Sequence, residues 1–265
     1  MIAVENLHVT FNPGTPLERK ALRGVNITLN DGEFVTVIGS NGAGKSTLLG
    51  AIAGDVSPQK GVIRIGVDDV TKEKPSVRAK RVARVFQDPL AGSCAALSIE
   101  ENLALAAMRG SRRGIRSALQ GSRRSLLRDR VAELGLNLEN RMGDRMGLLS
   151  GGQRQALSLV MATLADAKVL LLDEHTAALD PGMAEFVANL TERLVGQHGL
   201  TTLMVTHSMR QALDHGTRTV MLHEGQIVLD ITGERRHTMA VDDLVEMFRR
   251  VRGGAELDDD ALRIG

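Results

Sequence analysis

The chain has 265 residues, of which 43% are hydrophobic and 25% are charged, as expected of a globular protein with an ample buried core. Its formal net charge is +1 and its only aromatic residues are five Phe, which argues against a nucleic-acid surface with stacking side chains. No apolar run approaches the length of a membrane span, and the N-terminus does not resemble a signal peptide. The single cysteine, Cys94, is interpreted as structural, and we expect the chain to be kept in the reducing cytoplasm.

The N-terminal part of the chain is predicted to be mainly β-structure. Apolar and polar residues alternate over residues 2–11, as in a half-buried strand. Two more strand-like runs follow at residues 25–29 and 33–38. The second run is apolar on both faces and β-branched, which favours a buried central strand. A glycine-rich loop and a short helix that ends at Gly54 come next.

From residue 33 to residue 207 strands alternate with helices, which predicts a parallel sheet with crossover helices. Ser98 and Glu101 have the spacing of a capping box at the start of one such helix. The other predicted strands are at residues 62–70 (a strand pair or hairpin), 81–88, 168–174 and 200–208, with a closing hairpin at 220–233. The other predicted helices are at residues 127–136 and 154–167.

Two segments have strongly biased charge. Residues 109–130 contain eight Arg among Gly and Ser. This pattern is typical of a solvated helix–loop face, and it is also compatible with contact to acidic lipid headgroups beside a membrane partner. The sequence leaves both interpretations open. The C-terminal segment, residues 251–265, is acidic and is expected to be loosely held.

The loop GSNGAGKST at residues 39–47 matches the complete phosphate-binding P-loop pattern, with a strand before it and a helix after it. Its glycines allow successive backbone N–H groups to face an anion, and the helix N-terminus adds a partial positive charge. We expect Lys45 to reach the β- and γ-phosphates, Ser46 to bind Mg2+ and Thr47 to donate to the α-phosphate.

A P-loop needs a carboxylate that holds Mg2+ from a neighbouring buried strand. Asp173 follows four apolar residues and has this pattern. Glu174 comes directly after it, where the strand ends and the carboxylate can turn towards the γ-phosphate. From that position Glu174 can act as a general base for an attacking water. Taken alone, Glu174 is better interpreted as an ordinary charge at the end of a strand, and it is the motifs described next that favour the catalytic role.

A second glycine-rich loop, LLSGGQRQAL, lies at residues 148–157. The P-loop, the Gln in VFQDP, the SGGQ loop, the Asp-Glu pair and the His in MVTHS occur in the order of the ATP-binding cassette (ABC) family, which the chain resembles over residues 2–250. In that family the SGGQ loop opens a helix on a helical subdomain and faces the γ-phosphate held by a second, head-to-tail copy. The resemblance therefore accounts for two phosphate loops in one chain, since each binds half of a shared nucleotide.

The resemblance also implies roles for single residues. Gln87 corresponds to a glutamine that contacts Mg2+ and water. His207 corresponds to a histidine that senses the γ-phosphate, with a satisfied core imidazole as the alternative. Phe11 corresponds to an aromatic that stacks on adenine, with a core Phe as the alternative. Asp180 lies in AALD, which corresponds to a segment at the dimer interface but lacks the usual initial serine.

The expected site residues fall into three groups. They are Glu174, His207 and Gln87 for catalysis; Ser46, Gln87 and Asp173 for Mg2+; and Phe11, Gly39, Asn41, Gly42, Gly44, Lys45, Ser46, Thr47, Ser150, Gly151, Gly152, Gln153 and Asp180 for ATP.

The fold implied by the resemblance is an α/β P-loop NTPase core with a parallel sheet, an N-terminal antiparallel β subdomain and a helical subdomain. The helical subdomain is expected at about residues 88–162, inside one ATPase domain at residues 1–250. The implied partners are a second ATPase subunit, usually an identical one, which sandwiches two ATP, and integral membrane permease subunits. The protein would then sit on the cytoplasmic face of the membrane through its permease.

Among transport systems, the sequence favours an importer of amino acids or similar small solutes. The segments NPGTPLERKALRGVNITLNDGEF, GLLSGGQRQAL and DEHTAALDPG resemble the ATPases of bacterial uptake systems. Those systems have a branched-chain-amino-acid-type permease and a binding protein of the aromatic-amino-acid type.

Two alternatives remain open. ATPases of exporters or of lipoprotein release also begin with a similar ALRGV and GEF run. ABC ATPases that act on nucleic acid or ribosomes usually have two cassettes, coiled-coil arms or zinc-type cysteines. The sequence contains none of these features, so we expect no nucleic-acid partner.

Overall fold

The computed structural model describes residues 1–110 and 121–251. The strands are β1 (Ile2–Phe11), β2 (Arg19–Leu29), β3 (Phe34–Ile38), β4 (Lys60–Ile65), β5 (Asp68–Asp69), β6 (Val82–Val85), β7 (Val169–Asp173), β8 (Thr201–Val205), β9 (Arg218–His223) and β10 (Gln226–Thr232). The α-helices are α1 (Lys45–Ala53), α2 (Pro75–Arg78), α3 (Ile99–Ala107), α4 (Gly121–Ala132), α5 (Gly151–Thr163), α6 (Pro181–His198), α7 (Met209–Asp214), α8 (Gly233–His237) and α9 (Val241–Val251).

The chain forms two compact units. The first unit contains residues 1–78 together with the described residues from 199 onwards. The second unit contains the described residues between 79 and 198. In neither unit does the described part of the chain contain a helix with the length and apolarity of a membrane span.

The N-terminal sheet of the first unit is antiparallel and has the strand order β2-β1-β4-β5. Strand β1 lies in its interior, so Val4 pairs with Ile27 on one side and with Ile63 on the other. Its apolar residues are buried except Phe11 at its end, while Glu5 and Asn6 are exposed. This confirms the half-buried strand that the alternation at residues 2–11 predicts.

The same unit contains a second set of strands in the order β10-β9-β3-β8. Strand β3 is parallel to both β8 and β9, and all five of its residues are buried. Helix α1 packs against β8, and helix α7 against β3. The predicted central strand and its parallel neighbours are confirmed. The predicted closing hairpin is also confirmed, because β9 and β10 pair antiparallel through a turn at residues 224–225.

The second unit contains the parallel pair β6 and β7 with helices α3, α4, α5 and α6. Helix α5 packs against α3, α4, α6 and β6. The capping box predicted at the start of α3 is present, since Ser98 Oγ accepts from Glu101 N and Glu101 Oε2 accepts from Ser98 N. Glu101 Oε2 accepts from Ser98 N and from Ser98 Oγ, and these two bonds lower the pKa of the Glu101 carboxyl, with the bond from the Ser98 backbone as the largest cause. The parallel strands and their helices confirm the α/β fold class.

Some boundaries differ from the sequence predictions. The helix predicted at residues 127–136 is observed as α4 (Gly121–Ala132), because Gly135 adopts a left-handed φ of 67° that a helix cannot continue through. The sequence did not predict α9, which packs against α7 through Leu244 and Phe248 in a cluster with Ile38 of β3. Residues 111–120 of the Arg-rich segment and 252–265 of the acidic tail lie outside the described residues.

The C-terminus of helix α1 is closed by a buried arginine. Arg78, at the end of α2, is 1% exposed. Its Nη1 donates to Ala51 O and Ile52 O, and its Nη2 donates to Thr71 O at 2.9 Å. The two helical carbonyls are in the last turn of α1, where the helical ladder runs out. Ala51 O also accepts from the N–H of the C-cap residue Gly54 at 3.3 Å. Burial lowers the pKa of the guanidinium, yet its three acceptors and the negative end of the helix stabilise the cation.

Arg78→Met is expected to lower the free energy of unfolding by about 2–4 kcal/mol, because Ile52 O and Thr71 O lose their arginine donor and Ala51 O loses one of its two donors. Urea unfolding followed by circular dichroism measures this change. Arg64→Met is the control, since Arg64 forms a surface ion pair with Glu5 and should cost less than about 1 kcal/mol. Equal losses in the two variants would contradict the role of Arg78.

Candidate functional site

The P-loop of the first unit surrounds the side chain of its own lysine, Lys45. Helix α1 begins at Lys45, whose side chain is 5% exposed. The ammonium Nζ donates to the carbonyl oxygens of Gly39 at 2.7 Å and Ser40 at 3.2 Å. The helical ladder starts with the bond from Leu48 N to Gly44 O, so the N–H groups of residues 45–47 precede it. A buried cation and a helix N-terminus therefore lie in one loop, which is the electrostatic requirement for binding phosphate.

Gly44 shows why this loop needs glycine. Its φ is 108°, a left-handed conformation that other residues avoid. A Cβ atom at this position would lie 2.5 Å from Ala21 O and 2.9 Å from a methyl group of Leu22. The backbone of the loop thus packs directly on strand β2. Asn41, Gly42 and Ser46 are exposed, whereas Thr47 is buried.

His207 follows the buried strand β8 in the same unit and is half-buried. Its neighbours in the chain are both fixed. Thr206 Oγ1 donates to Gln211 Oε1 at 3.0 Å, and Ser208 Oγ accepts from Gln211 N at 3.2 Å as the N-cap of α7. The backbone that carries the imidazole is therefore held rigidly, and the partial exposure distinguishes His207 from a core histidine.

Phe11 lies at the end of β1 and is 37% exposed. The Arg19 guanidinium on the paired strand lies 5.8 Å from the centre of its ring. Phe11 is thus a surface residue, and the structure contradicts the alternative that it is a core phenylalanine.

In the second unit, Gln87 and Asp173 lie at the carboxyl ends of two neighbouring parallel strands. Gln87 follows β6 and is exposed, and Asp173 is the last residue of β7. Glu174 comes directly after it with a φ of 49°, which ends the strand in a left-handed turn. The backbone therefore changes direction at Glu174, and the orientation of its carboxylate towards a phosphate stays a prediction. A left-handed φ at a residue other than glycine is strained and is often associated with function.

The sequence analysis did not identify two side chains that lie near the end of β7, Arg84 and His175. Arg84 Nη2 donates to Asp173 Oδ2 at 2.8 Å, and both side chains are largely shielded from solvent. His175 is 3% exposed, and its Nε2 lies 2.9 Å from Thr191 Oγ1 on helix α6. The hydroxyl of Thr191 itself donates to Val187 O, so the imidazole is the donor in this pair.

The SGGQ loop is the N-terminus of helix α5. Ser150 is the N-cap, and its Oγ accepts from Gln153 N at 3.3 Å. Gln153 Oε1 accepts in return from Ser150 N at 3.2 Å. These two bonds form a capping box, which the S-x-x-Q spacing encodes and the sequence analysis did not assign. Asp180 has a similar position at the start of α6, where its Oδ1 accepts from Met183 N at 3.1 Å.

Gly152, in the first turn of α5, is in contact with Met183. A Cβ atom at Gly152 would lie 2.0 Å from Met183 Cγ, whereas one at Gly151 would meet its nearest atom at 3.8 Å. Gly152 is buried and Gly151 is half-exposed. The two glycines therefore have different roles: Gly152 allows helices α5 and α6 to approach, and Gly151 leaves the helix N-terminus open.

The residues expected to hold Mg2+ supply oxygen donors: one carboxylate (Asp173), one amide (Gln87) and one hydroxyl (Ser46). Within residues 1–110 and 121–251 there is no cluster of three or more His, Cys, Asp or Glu that would hold a metal unaided. This donor set suits Mg2+, which is usually bound through one or two carboxylates together with waters and nucleotide phosphates.

Cys94 is an exposed free cysteine. Its backbone N–H donates to Asn102 Oδ1 and its carbonyl accepts from Asn102 Nδ2. Cys94 is therefore not a core residue, and its hydrogen bonds with Asn102 come from its backbone.

Comparison with known protein families decides the identity of the chain. Residues 22–177 match the family described as ABC transporter. The chain belongs to the ABC transporter family. The P-loop, the SGGQ loop and most of the residues around Asp173 fall inside the matched range, and the resemblance recognised in the sequence is confirmed at the level of the family.

Several relatives in this family are similar over most of the chain. A tyrosine transport ATP-binding protein from Clostridioides difficile (strain R20291) is 41% identical over 94% of this chain and 98% of its own. An energy-coupling factor transporter ATP-binding protein from Clostridium perfringens (strain 13 / Type A) is 35% identical over 86% of this chain and 79% of its own. An aliphatic sulfonates import ATP-binding protein from Shigella flexneri serotype 5b (strain 8401) is 35% identical over 84% of this chain and 83% of its own.

Solved structures of ABC cassettes share the fold. A dimeric, post-hydrolysis ATP-binding cassette bound to ADP and Pi aligns with a TM-score of 0.75 and 26% identity, over 88% of this chain and 98% of that one. The ADP conformation of an ATP-binding cassette of an ABC transporter aligns with a TM-score of 0.77 and 25% identity, over 94% of this chain and 98% of that one. The present ABC protein is accordingly an ATPase with the P-loop NTPase fold.

Gly152→Ala is expected to lower the free energy of unfolding by about 1–3 kcal/mol, because the new methyl group overlaps Met183. Gly151→Ala is the matched control and should be neutral or slightly stabilising, since alanine favours helix and has room there. Chemical denaturation of both variants measures the difference. Restoration of stability in the Gly152→Ala, Met183→Ala double variant relative to Met183→Ala would confirm the overlap, and an undiminished penalty would contradict it.

Proposed function

We propose that this ABC protein is the energy-coupling ATPase of a bacterial importer of amino acids or similar small solutes. The supporting observation is its 41% identity, across 94% of the chain, to a tyrosine transport ATP-binding protein. Other relatives are named for energy-coupling factor transport and for sulfonate import. The permease of the proposed system is of the branched-chain-amino-acid type, and its binding protein is of the aromatic-amino-acid type.

The reaction is hydrolysis of ATP with Mg2+. In the first unit, residues 39–47 of the P-loop bind the phosphates, Ser46 supplies a ligand for Mg2+, Phe11 stacks on adenine and His207 senses the γ-phosphate. In the second unit, Asp173 and Gln87 supply the other protein ligands for Mg2+, and Glu174 is the general base for water. The buried Lys45 ammonium and the left-handed turn at Glu174 support these assignments.

The ATPase acts as a dimer of two head-to-tail subunits that sandwich two ATP. Ser150, Gly151, Gly152 and Gln153 of one copy contact the γ-phosphate bound by the other, and Asp180 lies in the segment at the interface. The open N-terminus of α5 at Gly151 supports this role, since a helix N-terminus with exposed N–H groups binds anions. ATP binding closes the dimer, and hydrolysis reopens it.

The dimer passes its closing motion to integral permease subunits through a helical subdomain at about residues 88–162. The protein is therefore peripheral, at the cytoplasmic face of the membrane, and reaches the solute-binding protein only through the permease. The solute is selected by those partners.

Glu174→Gln is expected to retain ATP binding and to lower the turnover number by about 100-fold or more, because the amide cannot accept a proton from water. The variant should also accumulate an ATP-bound dimer. Steady-state phosphate release measures turnover, and size-exclusion chromatography with light scattering measures the dimer. Hydrolysis at the wild-type rate would show that Glu174 is not the base.

The control for the dimer is Ser150→Arg in the Glu174→Gln background. The longer, charged side chain should prevent closure while each monomer still binds ATP. A dimer that persists in this double variant would contradict the role of the SGGQ loop.

The experiment that tests transport is purification of the tagged chain from mildly solubilised native membranes, followed by identification of its partners. Recovery of a multi-span permease with a binding protein would support the importer. Recovery of a permease without any binding protein would favour an exporter or a lipoprotein-release system. Recovery of ribosomes or DNA, with no chain in the membrane fraction, would overturn the transport function.

A further inference from the structure

The side chains of Arg84, Phe86 and Asp173 meet on one face of the parallel pair β6 and β7. Arg84 is in register with Leu171 on the neighbouring strand. Side chains two residues apart on a strand lie on the same face, so Phe86 shares the face of Arg84 and Asp173 shares the face of Leu171. The diagonal between the strands brings Arg84 Nη2 to 2.8 Å from Asp173 Oδ2.

This ion pair is shielded from water. The side chains of Arg84 and Asp173 are 17% and 13% exposed, whereas the exposed pair Arg141 and Asp144 has 42% for each side chain. Charges that are partly buried are screened less by solvent and salt than charges at the surface. The guanidinium is thus a strong local countercharge for the carboxylate that ends β7.

The guanidinium of Arg84 also lies over an aromatic ring. Its Cζ lies 4.5 Å from the centre of the Phe86 ring, within the range of a cation–π contact. The backbone of Phe86 is held in turn, because its carbonyl accepts from Gln155 Nε2 at 3.1 Å. Gln155 is fully buried on helix α5, the helix that Ser150 caps. Arg84 is therefore fixed by contacts with both strands, and its support connects to α5.

We propose that Arg84 is a positioning residue that neutralises Asp173 and competes with a divalent cation for this carboxylate. The inference rests on the role of Asp173 proposed above. Two cations near one carboxylate repel each other. A divalent cation that binds Asp173 must therefore overcome the attraction between Arg84 and Asp173, and this weakens metal binding. Arg84 thereby raises the Mg2+ concentration at which nucleotide binds in its metal-bound form.

The test is the Mg2+ dependence of ADP binding, measured by isothermal titration calorimetry of the full-length protein over a series of Mg2+ concentrations. Arg84→Gln should lower the Mg2+ concentration for half-maximal enhancement of ADP affinity by about 3–10-fold, because the competing charge is gone. Arg84→Lys keeps the charge and should remain close to the wild type. Circular dichroism and ADP binding in EDTA confirm that each variant is folded.

Two further variants separate this competition from a general effect of removing an arginine. Arg141→Gln removes the ion pair with Asp144 and should leave the Mg2+ dependence unchanged. Phe86→Leu keeps both charges but removes the aromatic ring that contacts the guanidinium. It should lower the Mg2+ concentration for half-maximal enhancement of ADP affinity by less than Arg84→Gln does.

An unchanged or increased Mg2+ requirement in folded Arg84→Gln would overturn the proposal, since it would mean that Arg84 does not compete or that it assists the metal. The role of Asp173 is tested separately with Asp173→Asn. If wild-type ADP affinity responds to Mg2+ and Asp173→Asn does not alter that response, the assignment of Asp173 fails, and the competition proposed for Arg84 fails with it.

Discussion

Parallel pairing of strands that are buried on both faces is the constraint on which the site depends. All five residues of β3 are buried, and so are the first four of β7. Charged groups, and polar groups without a hydrogen-bond partner, cannot be placed inside such strands without a large desolvation cost. They therefore collect where the strands end, with the P-loop after β3 and His207 after β8 in one unit. In the other unit, Gln87 follows β6 and Asp173 ends β7.

The two glycine-rich loops have a similar composition but a different construction. The loop at residues 39–47 wraps around the Lys45 ammonium, and it requires left-handed glycine because it lies against β2. The loop at 148–157 enters helix α5 through the Ser150 capping box, and its glycines lie in the first helical turn. The first loop surrounds its own buried cation. The second is a helix end that offers N–H groups and no charged side chain among its four signature residues, which suits a contact made only when phosphate is present.

The second unit also contains a continuous set of contacts from α5 to the end of β7. Gln155 holds the backbone of Phe86, the Phe86 ring supports Arg84, and Arg84 pairs with Asp173. The helix proposed to contact the partner's nucleotide and the carboxylate proposed to hold Mg2+ are therefore supported by one packed group of side chains. These contacts connect the proposed metal ligand Asp173 with the SGGQ helix.

The sequence by itself determined the local features of this protein. The P-loop, the strand that ends in Asp173, the SGGQ loop and the capping box at Ser98 each depend on residues that are close in the chain. Their spacing therefore predicts both the local structure and the expected chemistry. The α/β class followed from the alternation of strands and helices, because periodicity of apolar residues is a property of neighbouring positions.

Only the tertiary structure decided which distant residues complete these features. Arg78 closes the C-terminus of α1 from 26 and 27 positions away, and Arg84 reaches Asp173 across 89 positions. Met183 explains why Gly152 cannot carry a side chain. The sequence does not indicate which acceptor an arginine will bind. It also does not indicate which residue will pack against a glycine. These choices depend on the packing of strands and helices that are separated in the chain, and such contacts exist only after the chain has folded.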